Sequence, residues 1–146
     1  AEDAATYFDM QMSSPYMLFV AEVKKTLRNP KPEDYEKMEL FQRLYHLRSS
    51  IPAITHIDYT ARVQTVEKIA NPRFWQLIYR FGQLTGCSML INTSFNRRGE
   101  PMVCTPEDAY KCFMYSEMDF LILGDYLFDK KDQTRLPEEK NNPELD

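Results

Sequence analysis

The sequence predicts an α/β fold with antiparallel members, which places it toward α+β. Two proline-opened helical segments, at 71–86 and 105–114, alternate with apolar runs of strand length. The chain then closes on two short apolar runs, FLIL and YLF, separated only by Gly124 and Asp125. That spacing is a hairpin, so at least one strand pair is antiparallel. With 146 residues, 43% hydrophobic and 13% aromatic, the chain can build one core and is expected to form one globular unit.

Residues 3–9 read as a short helix ending at the Ser13-Ser14-Pro15 break. Residues 16–23, YMLFVAEV, contain neither glycine nor proline and read as a core strand. A basic turn follows to Lys31, and Pro32 opens a charged helix on which Met38, Phe41, Leu44 and Tyr45 recur at helical spacing. This 24–50 segment reads as a surface hairpin. The run IPAITHIDYTARVQTV, 51–66, alternates in its second half and sets Arg62 and Gln64 on one polar strand face.

Asn71 and Pro72 supply a cap and a first-turn proline to a helix whose apolar stripe is Phe74, Leu77, Ile78, Phe81 and Leu84, stopped by Gly86. Trp75 and Tyr79 are expected in the core. Residues 88–92 read as a strand. Thr105 and Asp108 form a capping pair for the next helix, with Ala109, Cys112 and Phe113 inward. From Asp129 onward the sequence is charged, Pro or Asn, and is expected to lack fixed structure.

Net charge of −4 argues against a general nucleic-acid binder, so any anion site is local. No apolar run reaches membrane-spanning length. Cys87, Cys104 and Cys112 are odd in number and lack metal-ligand spacing, as do His46 and His56. They read as reduced, mostly buried thiols of a cytoplasmic protein.

Two clusters carry candidate chemistry. In the loop INTSFNRRGEP, 91–101, the hydroxyls of Thr93 and Ser94 and the amides of Asn92 and Asn96 can donate to phosphate oxygens. Arg97 and Arg98 supply guanidinium forks, and Gly99 permits a positive φ that turns backbone N–H groups toward an anion. The alternative is an ordinary polar loop, because no Walker or dinucleotide fingerprint is present. The second cluster is HIDYTARVQ, 56–64. There Arg62 can grip a phosphate or carboxylate with Thr60 and Gln64 orienting it, or Arg62 pairs with an acidic neighbour and His56 serves a turn.

These stretches, with NPRFWQLIYRFGQLTG, MLINTSFNRRGEPMVCTPEDAYKCF, FLILGDYLF and the earlier AATYFD and SPYMLFVAEV, closely resemble the C-terminal domain of the nodulation and antibiotic O-carbamoyltransferases. The resemblance runs to about Lys130 and divides the chain into a 1–130 domain and a 131–146 polar tail. It implies a YrdC-like twisted mixed sheet with flanking helices, N-terminally truncated. The family's upstream cationic segment is expected before Ala1.

The resemblance further implies that the domain binds ATP, with Mg²⁺ on its phosphates, and carbamoyl phosphate, and makes carbamoyl-adenylate. A separate N-terminal ASKHA-type domain, which holds the parent's metal, then passes the carbamoyl group to a hydroxyl. By motif, Ser94 and Asn96 match the family's phosphate-contacting SxN element, Arg62 the arginine of TARVQ, and Arg98 the arginine before Gly-Glu-Pro. Arg62 and Arg98 are thus the expected catalytic cations, and Thr60, Asn92, Ser94 and Asn96 the expected substrate contacts. Tyr59 stands where the family usually has glycine. The rival reading is an assembly module holding a dimer or domain interface, a homodimer included, without ligand.

Overall fold

The structure, a computed structural model, describes residues 1–137. It forms two compact units, one spanning Ala1–Ile91 and a second that begins at Asn92. Helices and antiparallel sheets coexist, so the fold is α+β. All strand pairs among the described residues are antiparallel, including those where a mixed sheet was expected.

In the first unit, α1 (Ala4–Tyr7) runs directly into β1 (Phe8–Asp9), which pairs with β2 (Phe19–Val23). The helix expected over 3–9 is therefore shorter, because Phe8 opposes Val23 and takes the extended conformation that pairing demands. β2 pairs in turn with β3 (Thr60–Val63). The strand expected from 16 begins only at Phe19, and Tyr16 and Leu18 remain exposed. One face of this sheet buries Phe8, Ala21, Val23, Ala61 and Val63, with Leu27, Ile51, Ile54 and Met89 packed against them. The opposite face aligns Asp9, Glu22 and Thr60 in one row and Val20 and Arg62 in the next. This is the period-2 alternation expected of TARV.

Ser14 closes the open end of β3. Its hydroxyl donates to Val63 O at 2.8 Å, and its N–H donates to Thr65 Oγ1 at 2.8 Å while its carbonyl accepts from Thr65 N–H at 2.9 Å. Both side chains are buried, and these bonds satisfy their polar atoms.

The 24–50 segment holds two short 3₁₀ turns, Lys25–Leu27 and Tyr35–Lys37, and a six-residue helix α2 (Leu40–Tyr45) instead of one helix from Pro32. Phe41 and Tyr45, expected on its inner stripe, are 68% and 77% exposed. Its neck is closed by an Arg28–Ser49 bridge and by Ser50 N–H donating to Leu27 O at 2.9 Å.

Helix α3 (Pro72–Thr85) forms as its caps predict. Asn71 accepts from Phe74 N–H at 3.2 Å, and Gly86 ends the helix at φ 77°. Yet α3 contains no buried residue, and Leu77 and Leu84 on its stripe are exposed. Gly82 lets Ser88 approach closely, since a Cβ there would lie 2.5 Å from Ser88 Oγ. Residues 88–92 form no strand, having no ladder partner among the described residues.

Trp75 and Tyr79 are not core residues. They stack on the surface at 5.1 Å between centroids and 8° between planes, with Lys68 over the Trp75 ring. Trp75 Nε1–H donates to both carboxylate oxygens of Glu2, at 3.0 and 3.3 Å. Chiefly through that bond, the Glu2 pKa falls from 4.5 to about 2. A depressed carboxylate pKa contributes stability that is fully present above the ordinary glutamate range and lost as pH falls through about 2. Trp75 is the sole tryptophan. Its emission is therefore expected to titrate with a midpoint near pH 2 rather than near 4.5, and Glu2→Gln should abolish that step; a wild-type midpoint in the ordinary glutamate range would show that the tether is not formed.

In the second unit, α4 (Pro106–Met114) carries the expected capping box. Thr105 accepts from Asp108 N–H at 3.1 Å, and Asp108 accepts from Thr105 N–H at 3.0 Å. These bonds, led by those from Thr105, hold the Asp108 carboxyl below its ordinary pKa. Ala109, Cys112 and Phe113 are buried as expected. The hairpin of β4 (Phe120–Leu123) and β5 (Tyr126–Asp129) packs Leu121 and Phe128 toward α4, where Tyr110 meets Phe128 edge-on at 5.7 Å. Gly124 turns the hairpin at φ 62°.

Of the three thiols expected to be mostly buried, Cys112 is buried, Cys87 half-buried and Cys104 exposed. Burial pushes the Cys112 thiol pKa up, which makes it a packing residue and not a nucleophile. Of the polar tail expected from Asp129, Lys130–Asp132 forms a 3₁₀ turn, and residues 138–146 lie outside the described residues. No helix among the described residues is long and apolar enough to cross a membrane.

Candidate functional site

The sequence-predicted residues fall on two surfaces, one in each unit. In the second unit the 92–100 loop is held by its own side chains. Asn96 Nδ2 donates to Arg97 O and to Glu100 O, both at 3.0 Å, and Glu100 N–H donates to Arg97 O at 3.1 Å. Val103 N–H reaches Phe95 O at 3.0 Å across the loop, and Gly99 takes φ 84° to complete the turn. Both amide protons of Asn96 are thus committed to the backbone, where the sequence assigned them to phosphate.

The two arginines of the loop have different surroundings. Arg97 pairs with Glu100, with Nε at 3.0 Å from Oε2, and lies 5.0 Å over the Tyr115 ring. The Arg97 hydrogen bond holds the Glu100 carboxyl below its ordinary pKa. Arg98, beside it, is exposed and makes no hydrogen bond or ion pair among the described residues. Ser94 is exposed in the same way, and Asn92 is exposed with a partner of its own. The loop therefore presents one free guanidinium, that of Arg98, and two free hydroxyls, those of Thr93 and Ser94, on a braced backbone.

In the first unit, Thr60 and Arg62 occupy the solvent face of β3. Arg62 is exposed, stands opposite Val20, and has no ion-pair partner among the described residues. The acidic neighbour of the alternative reading is absent there. Gln64, next on this face, donates to Pro15 O at 2.9 Å.

Thr60 closes a turn. Its N–H and its hydroxyl both donate to Asp58 Oδ1, at 3.0 and 2.7 Å, and its oxygen lies 2.9 Å from His56 Nδ1. The Thr60 bonds hold the Asp58 carboxyl below its ordinary pKa. Thr60 thus orients its neighbours, with its single hydroxyl proton already committed. Sequence reading treated His56 as a structural residue; the missed signal is the His-x-Asp-x-Thr spacing, which is that of an Asx turn.

Tyr59 sits at the apex with φ 65°, a region that favours glycine. Its hydroxyl donates to Asn29 O at 3.1 Å and its ring carries the Arg28 guanidinium at 5.3 Å. These contacts offset the backbone strain and tie the 56–60 turn to the neck of the 24–50 segment. Arg28 also pairs with Glu22 at 2.6 Å, the residue opposite Thr60 in β2. A cleft of about 270 Å³ beside Glu22 and Arg28 contains none of the predicted residues, and its Lys24 is paired with Asp9 at 3.3 Å. Among the described residues no group of three or more His, Cys, Asp or Glu is placed to hold a metal ion.

Comparison with known proteins gives this geometry a context. The chain is 50% identical over 133 residues to the uncharacterized protein sll1178 of Synechocystis sp., which covers 91% of this chain and 22% of that protein. It is 35% identical over 141 residues to nodulation protein NolNO of Sinorhizobium fredii, covering 94% and 18%. It is 33% identical over 94 residues to 3'-hydroxymethylcephem-O-carbamoyltransferase of Streptomyces clavuligerus, covering 64% and 18%. The chain thus spans about a fifth of the length of the curated relatives it matches. The family described as Carbamoyltransferase C-terminus matches residues 1–130, and this chain belongs to that family.

Proposed function

We propose that the chain is the part of an O-carbamoyltransferase that binds ATP and carbamoyl phosphate and forms carbamoyl-adenylate, which a separate N-terminal ASKHA-type domain passes to a substrate hydroxyl. The observation that carries this reading is the free guanidinium of Arg98 and the free hydroxyl of Ser94 on one braced loop, in a chain of the carbamoyltransferase C-terminus family. Arg62 is the corresponding free cation of the first unit.

The chemistry needs such groups. Carbamoyl phosphate loses its phosphoryl group to water and leaves carbamate. A carbamate oxygen then bonds to the α-phosphorus of ATP while the bond from that phosphorus to the pyrophosphate oxygen breaks. The nucleophile is already anionic and needs no general base. The barrier is the repulsion of like charges, which guanidinium forks, hydroxyl donors and substrate-bound Mg²⁺ reduce. In this scheme Arg98 and Ser94 contact nucleotide phosphates and Arg62 grips the carbamoyl phosphate. Asn96 acts by bracing the loop, and Asn92 stands at its entry.

Arg98→Ala is expected to weaken nucleotide binding by about 1.5–3 kcal/mol, the worth of one charge-assisted contact, with the fold intact. Arg62→Lys is expected to lower carbamoyl phosphate affinity although charge is kept, because the bidentate fork is lost. Calorimetric titration of Mg-ATP and carbamoyl phosphate checks both, and unchanged affinities in both variants would remove these residues from the function.

The second reading, an interface module without ligand, is favoured by the exposed Leu77 and Leu84 of α3 and Leu40 and Tyr45 of α2. It predicts self-association or partner capture and no rise in melting temperature with ATP. A rise that depends on Arg98 decides for the first.

A further inference from the structure

Helix α3 is anchored along one flank and open along the next. Gly82 takes the close approach of Ser88, and Phe74 and Ile78, which share that flank, are half-buried. Leu77, Phe81 and Leu84 recur at i, i+4 and i+7 and form a second ridge, 54%, 37% and 86% exposed. A helix of 14 residues that buries no side chain fully is marginal in water, and an apolar ridge of this kind gains its stability from what packs on it.

Charge selects among the possible covers. Residues 72–85 hold two arginines, Arg73 and Arg80, and no aspartate or glutamate, and Lys68 lies just ahead of them. A second copy docked through the same ridge would bring these cations against their own kind, which disfavours it. A segment that carries carboxylates beside apolar residues fits instead. The start of the chain lies at this helix. The Ala1 amine donates to Val66 O at 2.9 Å, and Glu2 accepts from Trp75 Nε1–H, in the first turn of α3, at 3.0 Å. A peptide N–H in place of that amine makes the same bond, so a residue joined ahead of Ala1 sets out from the first turn of α3.

We propose that the Leu77–Phe81–Leu84 ridge is the docking surface for an amphipathic, acidic segment of the same polypeptide that precedes Ala1, distinct from the cationic stretch that the resemblance places upstream. This rests on the part of the proposed function that makes the chain one portion of a longer enzyme. The chain covers 22% of one relative and 18% of another, and in a family described as a C-terminus the remainder lies ahead of the match. The exposed leucines of α3 then serve assembly within one enzyme and not self-association.

Maleimide labelling of Leu84→Cys tests this in the chain and in the full-length parent, read by mass spectrometry so that Cys87 and Cys104 are counted separately. Each variant is first shown to keep the wild-type melting curve. Labelling at position 84 is expected to be on the order of tenfold slower in the parent than in the chain. Adding Arg80→Glu should restore the fast rate in the parent and leave the chain unchanged. Equal rates at position 84 in chain and parent would overturn the docking, and the proposed function would stand if that parent still forms carbamoyl-adenylate. Protection at position 84 in a parent that forms no adenylate would sustain the docking and overturn the adenylate chemistry. A slow rate in the chain that quickens on dilution would make a second copy the cover, and a slow rate at every dilution would mean that the chain covers its own ridge; either overturns the docking.

Discussion

Phe113→Ala is expected to destabilise the second unit by about 3–5 kcal/mol, the largest loss of any single truncation there. Phe113 is fully buried and is the largest such side chain among the described residues. The other buried apolar residues of that unit, Ala109, Cys112 and Leu121, are all smaller than the ring, so they leave its volume unfilled. Lys130 lies 4.9 Å over the same ring, and its ammonium reaches Ser116 O, tying the end of β5 back to the exit of α4. Removing the ring also removes that cation's platform.

A small unit with so few buried residues has little reserve against such a loss. Thermal unfolding followed by circular dichroism should show the transition of this unit moved far down or lost, and Phe113→Leu should recover most of it. A melting curve for Phe113→Ala within a degree or two of wild type would mean that this core is not what holds α4 to the hairpin. The loop of residues 92–100 belongs to the same unit, so its braced geometry is expected to fall with the core.

The helices of this protein were legible because their signals are local. Asn71 reaches Phe74 and Thr105 reaches Asp108, each three residues on, and such bonds form wherever the chain turns into a helix. Strands are not local. Residues 88–92 have the composition of a strand, but a strand exists only through a ladder partner, and composition cannot name one. Phe8 and Asp9 show the converse, a helical-looking stretch drawn into the sheet by Val23 and Glu22.

The loop's chemistry was legible as an inventory and illegible as an assignment. Sequence gives Arg97 and Arg98 equal standing, yet Glu100 and the Tyr115 ring hold the first and leave the second free. Asn96 and Thr60 have the donors that a phosphate site needs, but both direct them inward, one to its own loop and one to Asp58. Which donor is already committed depends on where the backbone brings a competing acceptor. That is a property of the folded turn, which the motif alone does not give.

Arg48→Ala is expected to melt α2 and open the neck of the 24–50 segment, at a local cost of about 2–3 kcal/mol. Arg48 is 8% exposed, and no carboxylate pairs with it among the described residues. Its guanidinium instead donates to backbone, to Arg43 O at 2.5 Å, Leu44 O at 3.2 Å and His46 O at 3.3 Å. Those are the carbonyls left over at the end of a helix, where a positive charge is also favoured by the helix dipole. A helix of six residues has no stability of its own, so its ends decide whether it exists. The front end is closed by the Glu39 and Gln42 capping box, and the rear end depends on this one side chain. Lysine cannot replace it, because one ammonium cannot span three divergent carbonyls. Hydrogen exchange is the measurement: the amides of α2, with those of Asn29 and Ser50 at the neck, should lose protection in Arg48→Ala and in Arg48→Lys, while the amide of Val23 on β2 should not. The Tyr59 hydroxyl bonds to Asn29 O in that same neck, so loosening there should reach the 56–60 turn as well. Unchanged exchange in α2 would show that the helix is held by something other than its rear cap.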